Sequence, residues 1–123
     1  MTSSALRALI PLAVLFPVLA SPARAEEDTS SAAWVMPGCR AFLSPPILAP
    51  DAVKAGFCLG LTEGVWDTGY AEGWICSPPD AVGRQALRAV VQYIEARPAR
   101  MDERFTGLAI EALRAAWPCP VKP

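Results

Sequence analysis

The sequence predicts an all-α fold, a small bundle of about four helices held together by two disulfides. Prolines cluster at intervals along the chain and divide residues 26–123 into stretches of helical length. No stretch alternates apolar and polar residues with the period of two that is typical of a strand. The chain also contains four cysteines, and an even number in a small exported domain favours disulfides.

Residues 1–25 have the features of a secretory signal peptide. Arg7 supplies a positive charge, Ala8 to Ala20 form an apolar segment, and an A-x-A cleavage motif ends at Ala25. The apolar segment is shorter than the roughly 20 residues that a membrane-spanning helix needs. We therefore expect cleavage after Ala25, a periplasmic helical domain over residues 26–123, and no membrane attachment of the mature chain.

The first two helices are predicted on either side of a proline-rich turn. A short first helix is expected from Met36 to Leu43, and a second from Asp51, a suitable N-cap residue, to Thr68. At 100° per residue, the second helix carries one main apolar stripe. The members of this stripe are Val53, Phe57, Leu61 and Val65.

Three glycines recur every four residues along the flank of the second helix, at Gly56, Gly60 and Gly64. Each costs about 1 kcal/mol in a helix interior, so their spacing indicates the close approach of another backbone. Leu59 and Trp66 project on the side opposite the main stripe. We therefore expect this helix to be central or to form a protein interface, with Leu59 and Trp66 as the candidate contacts of a homodimer.

The third and fourth helices show strong amphipathic patterns. The third is predicted to start after Ser77 or at Asp80 and to end before Pro98, with one broad apolar face. The fourth is predicted from Asp102 to Ala116, because its apolar residues follow the i, i+3, i+4, i+7 pattern without a break. A proline then ends it.

The helix order selects one of three disulfide pairings. The short connection around Pro98 makes the third and fourth helices antiparallel neighbours, which brings Cys76 and Cys119 to the same end. Cys39 and Cys58 flank the proline-rich turn between the first two helices. We therefore predict Cys39–Cys58 and Cys76–Cys119. No C-x-x-C spacing is present, which does not favour a zinc or thioredoxin-like site.

Composition excludes several classes of function. The chain has no histidine, so His-based triads and His-ligated zinc sites are unavailable to it. A formal net charge of −1 does not favour a nucleic-acid binder. Glu63 and Asp67 lie four residues apart and are interpreted as solvated charges of a helix face. We expect no catalytic residues, no metal, no cofactor and no enzymatic activity.

Two segments have the composition of contact surfaces. Trp66, Tyr70 and Trp74 lie among glycines and acidic residues, and such aromatic residues commonly anchor protein contacts. The alternative is that the two tryptophans cap a small core. The turn after the third helix contains Arg97, Arg100 and Met101, and we expect it to be exposed and basic, either presented to a partner's cleft or simply solvated.

Several strings of the chain resemble one family. Gly56-Phe57-Cys58-Leu59-Gly60-Leu61-x-x-Gly64-Val65-x-Asp67 resembles the F-C-x-G-x-x-x-G-V-x-D signature of the Rap/Tai immunity proteins. The resemblance continues through Val90-Val91-x-Tyr93-Ile94-Glu95-Ala96-x-Pro98 to a closing Ala112-Leu113-Arg114-Ala115-Ala116-Trp117-Pro118-Cys119. It covers the chain from about Cys39 to Cys119.

The resemblance implies an exported, helical, disulfide-bonded protein that often forms dimers. It implies neutralisation of a peptidoglycan amidase toxin, a cysteine peptidase that the type VI secretion system delivers into the periplasm. Inhibition would come from a loop that fills the active-site cleft. Two alternatives stay open here: a small periplasmic helical chaperone or stress protein triggered by acid, and a hydrolase that uses Glu63 and Asp67.

Overall fold

The computed structural model describes residues 22, 23 and 25–121. Most of the predicted signal peptide, residues 1–25, lies outside these described residues. Within them the all-α class is confirmed, with four α-helices, no strand and two disulfides. None of the described helices has the length and hydropathy needed to cross a membrane.

Helix α1 spans Ala32–Leu43 and begins four residues before the predicted Met36. Ser31 is its N-cap, and its hydroxyl accepts a hydrogen bond of 3.3 Å from the backbone N–H of Trp34. Pro37 lies inside the helix, where it removes one backbone hydrogen bond. Burial of Val35 and its apolar neighbours offsets that loss.

Helix α2 spans Ala49–Ala71, longer at both ends than predicted. Asp51 lies in the first turn rather than at the N-cap, and a carboxylate there is favourable beside the positive end of the helix dipole. The helix ends before Gly73, whose φ of +76° is a left-handed conformation that glycine adopts without strain.

The buried side of α2 is not the main apolar stripe. The core-facing residues are small or polar: Ala55, Cys58, Thr62 and Gly69. Val53 is instead 80% exposed and Phe57 42% exposed. The predicted stripe is therefore divided: Val53 and Phe57 are exposed, whereas Leu61 and Val65 are half-buried against the core. The small residues of the buried side let α1 and the segment at Ile75 approach α2 closely. A Cβ on Gly69 would collide with Ile75, which explains why glycine is needed there.

Helix α3 spans Gly83–Glu95 and α4 spans Phe105–Ala116, each starting three residues or more after its predicted start. A 3-10 turn at Pro98–Arg100 precedes α4. The residues after it pair with the segment before α1, because Phe105 N–H donates to Ser30 O at 2.8 Å and an isolated bridge joins Ser31 to Arg104. This pairing delays the start of α4.

One hydrophobic core lies where the four helices meet. Its largest fully buried side chains come from α1, α3, α4 and the segment before α3: Met36, Ile75, Leu87, Ile94, Phe105, Leu108 and Leu113. Both predicted disulfides are confirmed. Cys39–Cys58 joins α1 to α2 inside the core, and Cys76–Cys119 joins the segment before α3 to the end of the chain.

Candidate functional site

The turn between α3 and α4 is held by a network of ion pairs centred on Arg100. Its guanidinium contacts Glu111 at 2.7 and 2.9 Å and Glu103 at 2.7 Å. Tyr93 donates a hydrogen bond of 2.8 Å to the same Glu111 carboxylate. These contacts lower the pKa of Glu111 to about 2, with the Arg100 hydrogen bond as the main cause, and they raise the pKa of Arg100.

The other two residues singled out in this turn also have intramolecular partners. Arg97 stacks on the Tyr93 ring, with its guanidinium carbon 3.5 Å from the ring centroid, and donates a hydrogen bond of 2.8 Å to the Tyr93 carbonyl. Met101 packs against the core, and its carbonyl accepts a hydrogen bond from Ala33 N–H at 2.7 Å. The exposed tip of the turn is therefore Pro98-Ala99, on a base whose two arginines are already engaged.

The structure separates the three aromatic residues predicted to act together. Trp66 and Tyr70 line one groove, whereas Trp74 lines another. Trp66 is half-buried, its indole N–H donates to Ser77 Oγ at 2.9 Å, and its ring lies 5.8 Å from that of Trp117. Tyr70 is 58% exposed. Trp66 therefore packs against the core, as the second interpretation expects, and it also lines a groove.

The first groove, named here the aromatic–acidic groove, lies between the C-terminal half of α2 and the segment that leads into α3. Its volume is about 290 Å³. Its lining residues are Trp66, Asp67, Tyr70, Ser77, Pro78, Pro79 and Ala81. Sequence reasoning missed the proline wall, because the prolines were interpreted only as breaks between helices.

The second groove, named here the apolar groove, lies between α2 and α4. Its volume is also about 290 Å³. Its lining residues are Gly60, Leu61, Gly64, Val65, Thr68, Trp74, Thr106 and Ile110. It continues along α2 into an open face, where a Cβ added to Gly56, Gly60 or Gly64 would have no neighbour within 4 Å. The backbone approach expected from these glycines is therefore not made by the described residues.

The predicted dimer contacts lie on the more covered side of α2. Leu59 is half-buried, and Trp66 contacts Trp117 and Ser77. The exposed large apolar residues of α2 are Val53 and Phe57 in its first half and Tyr70 at its end. Val53, Phe57 and the three glycines define the open face of α2, on which the 42% exposed Phe57 ring also packs edge-to-face against Trp34, with 5.4 Å between the ring centroids.

The carboxylates of Glu63 and Asp67 do not belong to the same site. Asp67 lines the aromatic–acidic groove, whereas Glu63 lies against Gly83 at the start of α3. A carboxylate there is favourable beside the helix N-terminus. Across the described residues, no group of three or more His, Cys, Asp or Glu side chains is arranged to hold a metal ion.

The fold and its surface define a class: a small, disulfide-bonded helical domain with preformed grooves. Residues 26–119 match the model of the family described as Rap1a immunity proteins, and the chain belongs to this family. An immunity protein acts by binding a toxin, so the grooves and the turn are candidate contact surfaces. No curated protein and no solved structure matches the chain.

Proposed function

We propose that this protein is a periplasmic immunity protein that binds and inhibits a peptidoglycan amidase delivered by type VI secretion. The observation that carries the proposal is the family match over residues 26–119. The two disulfides support it, because such bonds persist in oxidising compartments. The predicted leader, residues 1–25, provides the route of export. The protein acts by binding and has no catalytic role.

The turn between α3 and α4 is the element proposed to enter the amidase cleft. Its tip, Pro98-Ala99, is exposed, and its base is fixed by Arg100, Glu103 and Glu111. A turn that is already rigid loses little conformational freedom on binding. Because both arginines of the turn are paired within the chain, the tip contributes shape rather than free charge.

Co-expression tests the function directly. A candidate cysteine-peptidase amidase is directed to the periplasm of a host, with or without the full-length immunity protein. We expect lysis in the absence of the protein and growth in its presence. A version lacking residues 1–25 should not protect. Equal lysis with and without the full chain, both proteins being present in the periplasm, would contradict the proposal for that pair.

A matched pair of variants tests the turn. Ala99→Trp enlarges the exposed tip, whereas Ala115→Trp adds the same side chain at an exposed position of α4. We expect Ala99→Trp to weaken inhibition of the purified amidase at least tenfold while the circular dichroism spectrum stays unchanged. Ala115→Trp should inhibit like the parent. Equal inhibition by both variants would exclude the turn as the contact.

We also propose that a second copy of the chain covers the open face of α2. An antiparallel crossing centred between Gly60 and Leu61 would place Phe57 of one copy opposite Gly64 of the other. The exposed Phe57 ring would then enter the apolar groove of the partner copy, which Gly64 lines. Such a pairing is isologous, since the same surface supplies both the projecting ring and the groove.

Sedimentation equilibrium distinguishes this face from the one predicted from sequence. Gly60→Arg places two positive charges at the centre of the crossing, and Ala115→Arg is the control at an exposed site. We expect Gly60→Arg to be monomeric, and Ala115→Arg and Trp66→Ala to be dimeric. A dimer that survives Gly60→Arg but dissociates with Trp66→Ala would instead support the face formed by Leu59 and Trp66.

A further inference from the structure

We infer that the aromatic–acidic groove binds a cationic side chain, a lysine or an arginine, presented by a protein partner. This goes beyond the proposed function by naming the chemistry that the groove recognises. Binding of a cationic side chain does not depend on the proposed function. Only the identification of the partner as the toxin rests on it. The inference stands on three features of the groove: its aromatic walls, its carboxylate and its rigidity.

Two aromatic side chains line the groove. Trp66 and Tyr70 are four residues apart on α2 and so lie on the same side of the helix. A lysine or arginine within about 6 Å of such a ring is attracted by its π electrons. The exposed Tyr70 ring and the inner Trp66 ring together form a wall that an aliphatic stem with a charged end would follow.

The charge of the groove favours a cation. Asp67 lies between the two rings in sequence and lines the groove, and no lysine or arginine lines it with Asp67. None of the salt bridges found among the described residues involves Asp67. A basic side chain from outside would therefore find an unpaired carboxylate at the edge of an aromatic surface.

Other aromatic rings of the protein already have such a partner from the chain itself. Arg97 lies over Tyr93, Lys54 lies 5.1 Å from the Trp34 ring centroid, and Arg84 lies 5.2 Å from that of Phe42. No intramolecular cation of this kind is found over Trp66 or Tyr70 in the described part of the chain. The groove therefore presents aromatic rings like those of the three pairs, but without an intramolecular cation over them.

The groove is also held in shape. The hydrogen bond from Trp66 to Ser77 fixes the inner ring, and Pro78-Pro79 forms the opposite wall. The Cys76–Cys119 disulfide anchors that wall, and Cys76 N–H donates to Trp117 O at 3.0 Å. With a volume of about 290 Å³, the groove lies at the lower limit of small-molecule sites, which suits one long side chain.

The test uses the isolated protein and two probes of nearly equal shape. Nα-acetyl-arginine amide carries a guanidinium, and Nα-acetyl-citrulline amide replaces it with a neutral urea. Each is titrated into ¹⁵N-labelled protein while the indole N–H resonance of Trp66 is followed. We expect the arginine probe to shift this resonance with an affinity in the millimolar range. The citrulline probe should shift it at least fivefold less at equal concentration.

Variants assign the effect to the groove. Asp67→Asn should weaken binding of the arginine probe several-fold, and Tyr70→Leu should also weaken it. Asp51→Asn removes an exposed carboxylate elsewhere on α2 and should bind like the parent. Equal shifts with the two probes, no shift with either, or an unchanged affinity in Asp67→Asn would overturn the inference.

This outcome is independent of the proposed function. If the arginine probe binds as expected but the amidase is not inhibited, the groove recognises cations and the assigned partner is wrong. If the amidase is inhibited while the probe does not bind, the inference fails and the function stands. If both hold, Asp67→Asn should raise the dissociation constant of the amidase complex several-fold, with a weaker dependence on salt than the parent.

Discussion

The guanidinium of Arg100 binds the carboxylate of Glu111 through two parallel hydrogen bonds, of 2.7 and 2.9 Å. This geometry matches the planar fork of arginine to the two oxygens of a carboxylate. It connects the turn after α3 to the middle of α4, so the base of the exposed tip is fixed. A residue predicted as free positive charge is therefore a structural link between two elements.

The Arg100–Glu111 pair predicts a specific acid response. The pKa of Glu111 is lowered in the folded protein from 4.5 to about 2, so its contribution to stability is complete above pH 4.5 and is lost as the pH falls towards 2. We expect Glu111→Gln to lower Tm at neutral pH, with the difference from the parent shrinking between pH 4.5 and 2. Thermal unfolding followed by circular dichroism across this pH range measures the difference in Tm.

The control for this response is Glu72→Gln, which removes an exposed carboxylate outside the Arg100 network. Its Tm should differ little from that of the parent at any pH. If the two glutamine variants show the same pH profile, the ion pair does not stabilise the turn. The same profile bears on the acid-triggered chaperone alternative, because a pair that stays charged down to low pH resists unfolding by mild acid.

The two disulfides are predicted to differ in their response to reductant. Cys39 and Cys58 are fully buried, whereas Cys76 is exposed. A thiol reductant attacks the accessible sulfur first. Brief treatment with dithiothreitol, followed by alkylation and peptide mapping, should therefore label Cys76 and Cys119 before the buried pair. Early labelling of Cys39 would contradict the assignment of the inner disulfide to the core.

The loop lengths closed by the two disulfides set the expected losses of stability. The Cys76–Cys119 bond spans 43 residues and the Cys39–Cys58 bond spans 19. The chain-entropy model then gives losses in the free energy of unfolding of about 4 and about 3 kcal/mol on replacing each pair by serine. Urea unfolding of the two double variants shows which replacement lowers the free energy of unfolding more. A larger loss for the shorter loop would show that buried packing outweighs loop closure.

Replacement of two helical glycines by alanine is predicted to change the free energy of unfolding in opposite directions. A Cβ on Gly38 would collide with the backbone carbonyl of Lys54, where α1 crosses α2. Gly38→Ala should therefore lower the free energy of unfolding by about 1–3 kcal/mol. Gly107 on α4 faces open space, so Gly107→Ala should raise it by up to about 1 kcal/mol through helix propensity alone. Denaturant unfolding of both variants gives the comparison.

Thr62 is a buried polar residue whose hydroxyl lacks a hydrogen-bond partner among the described residues. Its Oγ1 is enclosed on the core face of α2 and makes no hydrogen bond among the described residues. An unsatisfied buried hydroxyl costs about 1–3 kcal/mol. Thr62→Val keeps the shape and should raise the free energy of unfolding by about 1 kcal/mol. The exposed Thr68→Val is the control and should change it little; a loss of stability in Thr62→Val would show that the hydroxyl is satisfied in solution.

The fold was predicted correctly where the apolar residues of a helix recur with the helical period on a single face. Helices α3 and α4 each have one apolar face, so periodicity alone identifies their buried residues, such as Leu87 and Leu113. The antiparallel arrangement of the two helices then identified Cys76 and Cys119 as partners. Their starts were predicted too early because polar residues suited to capping, such as Asp80 and Asp102, occur in turns before each helix.

Helix α2 shows why the buried face of this helix and the groove beside it could not be predicted from the sequence. Apolar residues occur around its whole circumference, so no single period dominates, and the larger side chains of Val53 and Phe57 indicated the wrong side. Its true core face uses small residues because α1 packs against it closely, as the collision at Gly38 shows. The aromatic–acidic groove depends on Pro78 lying across from Trp66, a tertiary relationship that sequence spacing does not contain.

The pairing of residues 30–33 with residues 101–105 has a practical consequence for how this protein is handled. Residues 30–33 lie directly against the base of the proposed inhibitory turn, since Ser30 and Ala33 form backbone hydrogen bonds with Phe105 and Met101. A tag or fusion partner joined immediately ahead of Asp28 would emerge beside that turn. The placement of an affinity tag is therefore itself an experimental variable in any measurement of toxin binding.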